Sequence, residues 1–176
     1  MTFSDSVKWV YTEPKTVEEF KWHDIGTDGG TNLSAAYDEL SHYLCKKEQG
    51  GQMPDLGGVA PVILLMTDGL PTSNDWEKRL SSLKRKGWFK AALKYAIAID
   101  VNTDEARDVL TKFTGNSETV LTVTSAEALR KVIKVIAVTA SKVKSKSASV
   151  GTGVNANQAA LGEIAKNLEE IEDVEW

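Results

Sequence analysis

The chain has 176 residues, 41% of them hydrophobic and 26% charged, with a net charge of -4. That length supports one domain with a real core and a short appendage, and the acidic balance argues against a general nucleic-acid-binding role. A single cysteine, Cys45, excludes an intrachain disulfide and a cysteine zinc site. With no apolar run near the ~20 residues of a membrane span and no signal-peptide pattern over Met1–Asp5, a cytoplasmic protein is expected.

Met1–Phe3 and the β-rich Val7–Tyr11 flank Ser4-Asp5-Ser6, a hairpin-like turn composition. Thr16 to Phe20 reads as one helical turn, with Thr16 as N-cap and Glu19 three residues later. A glycine-rich polar loop, Gly26 to Asn32, then opens a helix over about Leu33–Lys47. Leu33, Ala36, Tyr37, Leu40 and Leu44 fall on one face of it, and Thr31 or Asn32 can cap it. Cys45 on this helix reads as a packing residue and His42 as a solvated one.

After the polar loop Gln49–Gly58, five apolar residues run unbroken from Val62 to Met66, bounded by Pro61 and Gly69. Such a run predicts a strand buried on both faces of a parallel sheet. Asp68 then falls at the carboxyl edge, where open α/β sheets place ligands. Ser73 or Asn74 caps a helix over about Asp75–Lys86, and Trp88 to Leu93 forms a further apolar turn. Tyr95–Ile99 is the next strand. Thr103 caps a helix over about Asp104–Phe113 that ends at Gly115. Thr119–Val123 is a strand, and Ser125 caps a helix from Ala126 to about Ser141, with Leu129, Val132, Ile133 and Ile136 facing the core. This alternation from Val62 to Ser141 is that of a parallel α/β sheet with right-handed crossovers.

Residues 143–156 are poor in apolar side chains and read as a flexible linker. Residues 157–176 carry Leu161, Ile164, Leu168 and Ile171 at helical spacing, with acidic residues on the other faces. They predict an acidic amphipathic helix.

Gly30-Thr31-Asn32-Leu33, the run Leu64 to Thr72, the run Trp88 to Ile99 and Phe113-Thr114-Gly115-Asn116 together resemble a von Willebrand factor A domain. Within that group they are similar to the bacterial tellurium-resistance-associated A-domain proteins. The resemblance covers roughly Met1 to Ser141. It implies a Rossmann-like three-layer αβα fold, its mostly parallel sheet carrying an antiparallel N-terminal edge hairpin. It also implies a metal-ion-dependent adhesion site at the carboxyl edge of that sheet. Thr31 matches the family's second-loop threonine and Asp68 its third-loop aspartate. The first-loop Asp-x-Ser-x-Ser occurs nowhere in the chain, and Phe3-Ser4-Asp5-Ser6-Val7 resembles the later hairpin instead. Residues 1–142 are therefore expected to be a partial A-like domain, N-terminally truncated so that its first, central strand, its first helix and most of its second strand are missing. A longer protein, a complementing or swapped copy, or closure of Val62–Met66 onto the N-terminal hairpin would fill the gap.

The function so implied is a protein-interaction or adaptor module, in a bacterial stress or tellurium-resistance-related system. A partner's carboxylate would complete the shell of a bound Mg²⁺, Mn²⁺ or Ca²⁺ held in part by Thr31 and Asp68. No general base or nucleophile accompanies these loops, which argues against an enzyme. A metal-assisted hydrolase, or a structural or regulatory fragment that binds no metal, is the alternative.

Overall fold

The computed structural model describes residues 1–16, 18–21, 23, 29–55, 57–147, 166–167 and 174–175. They form two compact units, one of Met1–Gly58 with Pro71–Lys90 and one of Val59–Leu70 with Ala91–Trp176. No described helix is long and apolar enough to cross a membrane.

In the first unit, β1 (Thr2–Phe3) and β2 (Val7–Lys8) pair antiparallel as their own two-stranded sheet. Helix α1 (Leu33–Tyr43) opens where Asn32 accepts the Ala35 N–H, as its side chain predicts, and packs against α2 (Trp76–Leu83). The apolar face is the expected one: Leu33, Ala36, Tyr37 and Leu44 meet the interior, as do Leu80 and Leu83 of α2. Ser73 does not cap α2. Its hydroxyl accepts the Ser34 N–H instead, so a second orphan donor at the start of α1 is satisfied from a distant segment. The Thr16–Phe20 turn forms, with Glu19 reaching back to the Thr16 N–H. Trp22, Ile25 and Gly26 lie outside the described residues.

The second unit is mixed α/β. Strands β3 (Val62–Thr67), β4 (Leu93–Ile99) and β5 (Val120–Val123) run parallel in that lateral order. The register sets Leu64 beside Tyr95, Met66 beside Ile97, and Ile97 beside Leu121. The short α3 (Gly87–Ala91) lies in the first unit up to Lys90, and its Phe89 is buried as the apolar cluster there predicts. Strand side chains alternate between faces. Leu93, Tyr95, Ile97, Leu121 and Val123 share a core with Ala128, Val132 and Ile136 of α5 (Ala126–Ser147). Ala98 faces the other way, toward Ala106, Val109 and Leu110 of α4 (Asp104–Thr114). The three-strand parallel sheet is thus flanked by helices on both faces, compatible with a Rossmann-like αβα arrangement. Thr103 and Ser125 cap their helices as expected.

Several expectations are corrected. Among the described residues Val62–Met66 is not in the middle of a sheet: β3 pairs with β4 and forms the sheet's edge. It is therefore only half buried, with Met66 40% exposed. Nor does β3 pair with the N-terminal hairpin, whose two-residue strands satisfy one another in a separate sheet. The antiparallel edge lies at the opposite end, where β6 (Val174–Glu175) pairs with β5. That strand replaces the end of the expected acidic helix, most of which lies outside the described residues. Helix α5 also continues to Ser147, past Ser141 and into the expected linker, because no residue there breaks a helix.

Candidate functional site

Asp68 follows directly on β3, at the carboxyl end of the parallel strands of its unit. The turn is built by its neighbour: Thr67 Oγ1 accepts the Gly69 N–H at 3.2 Å and donates to the Gly69 carbonyl at 3.1 Å. Asp68 itself is exposed, and no described group hydrogen-bonds its carboxylate. The side chain that could serve a ligand is thus left out of the turn.

Thr31 belongs to the first unit. It is half buried just before the Asn32 cap, and its carbonyl accepts N–H groups from Leu33 and from Thr72, both at 3.0 Å. Those bonds fix the backbone of Thr31 and leave its hydroxyl uncommitted among the described residues. A carboxylate that sequence reading treated only as a turn residue joins this loop. Asp5 Oδ1 accepts the Gly30 N–H at 2.8 Å, and the Asn32 side-chain amide donates to the Asp5 carbonyl at 3.3 Å. A Cβ on Gly29 would stand 2.8 Å from Asp5 Oδ2, so the glycine pair admits that carboxylate. The Gly29-Gly30 pair was the available signal, since paired glycines mark close backbone approach.

A second polar cluster lies at the α1–α2 contact. Ser34 Oγ lies 2.8 Å from Ser73 Oγ and donates to Asp75 Oδ1 at 2.5 Å. Arg79 Nε donates to Asp75 Oδ2 at 2.9 Å, and its Nη1 stands 3.1 Å from Asp38. The Ser34 hydrogen bond first, and Arg79 next, hold the Asp75 carboxyl below its ordinary value. The folded state then binds fewer protons than the unfolded state between the two pKa values. Its stabilising contribution is complete above the ordinary carboxylate value of ~4 and is lost as pH falls through the folded value. Denaturant midpoints measured from neutral pH to below ~4 should therefore fall in the wild type. In Asp75→Asn they should start lower and decline less steeply. Equal slopes would remove Asp75 from the acid response.

The donors at Thr31 and Asp68 are hard oxygens, the chemistry a hydrated Mg²⁺ or Ca²⁺ accepts. Each unit supplies one such donor, the Thr31 hydroxyl in the first and the Asp68 carboxylate in the second. Among the described residues no three His, Cys, Asp or Glu side chains gather into a metal-holding group. His42 is exposed as expected, and His23 Nε2 lies 3.1 Å from the Tyr11 hydroxyl. No protein-family model, no curated protein and no solved structure matches the chain.

Proposed function

We propose that the chain is a protein-interaction module of the von Willebrand factor A type. Thr31 and Asp68 would be its share of a cation site, and an acidic group of a protein partner would complete the coordination. The observation that carries this reading is Asp68: an exposed carboxylate at the carboxyl end of a parallel strand, free of the turn that Thr67 holds. The resemblance of the Thr31 and Asp68 loops to that family supports it, and a bacterial stress or tellurium-resistance setting comes with the same resemblance. The chain's two donors suit a weakly held, largely hydrated ion better than a dedicated protein cage.

Calorimetric titration with Mg²⁺ tests the reading. Wild type should give a weak binding heat. Asp68→Ala should abolish it, because Mg²⁺ sites rest on one or two carboxylates. Heats that are equal in the two proteins, or absent from both, would remove the cation from the proposal.

A further inference from the structure

We propose that the first unit carries a binding cavity for a small organic anion, held by Lys86 and Lys46 against the indole of Trp88. The cavity measures about 450 Å³ and is lined by Leu44, Cys45, Lys46, Gln49, Lys86 and Trp88, together with Gly87. That volume is in the range of small-molecule pockets. Neither Asp68 nor Thr31 takes part, so this inference stands apart from the cation site.

The charge balance of the lining identifies the ligand class. Both charged residues that line the cavity are lysines, and no carboxylate does. Among the described residues Lys46 makes a long, exposed ion pair with Glu48 at 3.7 Å and no other. Lys86 is half buried, and the hydrogen bond it makes among the described residues goes to Cys45 Sγ at 3.3 Å. Sulfur is a weak acceptor. A partly desolvated ammonium with a thiol as its partner is short of an anion. The half-buried indole of Trp88 adds a flat apolar wall and Gln49 an amide, so the complement is an acidic group on an aromatic or apolar body, such as an aryl phosphate or carboxylate.

The frame around the cavity is already closed by backbone hydrogen bonds. Met53 donates to the Cys45 carbonyl, Lys47 to Met53, Gln52 to Tyr43 and Gly51 to Lys46, at 2.9 to 3.0 Å. A preformed wall spares a ligand the cost of ordering it. Cys45 donates its S–H to the Ser41 carbonyl at 3.3 Å and lines the cavity. As the chain has one cysteine, thiol chemistry reports on this place alone.

The test measures alkylation of Cys45 by iodoacetate and by iodoacetamide, reagents of nearly equal size that differ in charge. The ratio of anionic to neutral rate should exceed that of a free cysteine derivative by about fivefold, the scale of one half-exposed charge pair. It should fall toward the free-thiol value in Lys86→Gln and return in Lys86→Arg, which guards against a folding defect. Millimolar phenyl phosphate should protect Cys45 from both reagents, and neutral benzyl alcohol should not. A wild-type ratio equal to that of the free thiol, a ratio unmoved in Lys86→Gln, or equal protection by the two aromatic probes would each overturn the proposal.

Discussion

Replacing Ile97 by alanine should cost about 3 kcal/mol of stability, and replacing Met66, its neighbour in the sheet, less than about 1 kcal/mol. The two residues are register partners on adjacent strands and so face the same side of the sheet, where Ile97 packs against α5. Their difference is lateral position. Ile97 sits on β4, between β3 and β5, and is fully buried among Leu121, Val123, Val132 and Ile136. Truncating it removes three carbons from a closed environment and leaves a cavity that helices on both faces prevent from collapsing. Met66 sits on the edge strand and is 40% exposed, so much of its side chain is already in water. Denaturant midpoints at unchanged m-value would show the contrast. Similar losses at both positions would mean that β3 is covered in solution by something the edge position does not provide.

Gly51→Ala should destabilise the first unit by about 3 kcal/mol. A Cβ at this position would stand 2.0 Å from the Cys45 carbonyl oxygen and 2.4 Å from its carbonyl carbon. The obstacle is backbone and cannot rotate away. It belongs to the turn after α1, where Cys45 accepts the Met53 N–H and Gly51 donates to Lys46. Relief therefore means breaking that pair of hydrogen bonds, at roughly 1 kcal/mol each, and moving the chain between them. Gly87→Ala is the matched control. No atom lies within 4 Å of its would-be Cβ, and it begins helix α3. Alanine there should be neutral or stabilising by up to about 1 kcal/mol. Thermal melts of the two variants should move in opposite directions, or one should move and the other stay. A Gly51→Ala protein that melts with the wild type would show that the turn adjusts freely.

The sequence made the elements legible where their cause is local. Asn32, Thr103 and Ser125 cap the helices they precede because a short polar side chain reaches an amide three residues on. The alternation from Val62 onward forecast parallel strands with intervening helices, and the apolar spacing of α1 named Leu33, Ala36, Tyr37 and Leu44, which are buried, and Leu40, which is half buried. What stayed hidden depends on partners far along the chain. Val62 to Met66 is apolar enough for a central strand, yet whether a strand has one neighbour or two is decided by segments its own composition does not encode. Ser73 had the chemistry of a cap, but serves the helix before it rather than the one after. Asp5 and Gly30 are 25 positions apart, and only the folded first unit brings the carboxylate to the loop of Thr31. The Asp75 network depends on the same kind of distant partner, since Ser34 is 41 positions away and meets it only in the folded first unit.

The interleaving of the two units fixes the order in which a ribosome can complete them. The chain supplies Met1–Gly58, then Val59–Leu70 of the other unit, and only afterwards the Pro71–Lys90 segment that finishes the first. When β3 emerges, α2 is not yet made and neither is β4, its partner in the sheet. An apolar, uncharged strand is therefore born before anything that can pair with it, a state exposed to aggregation during synthesis. Neither unit is a contiguous stretch of chain, so neither can be released intact by a single cut, and the nascent protein has no early folded half to build upon.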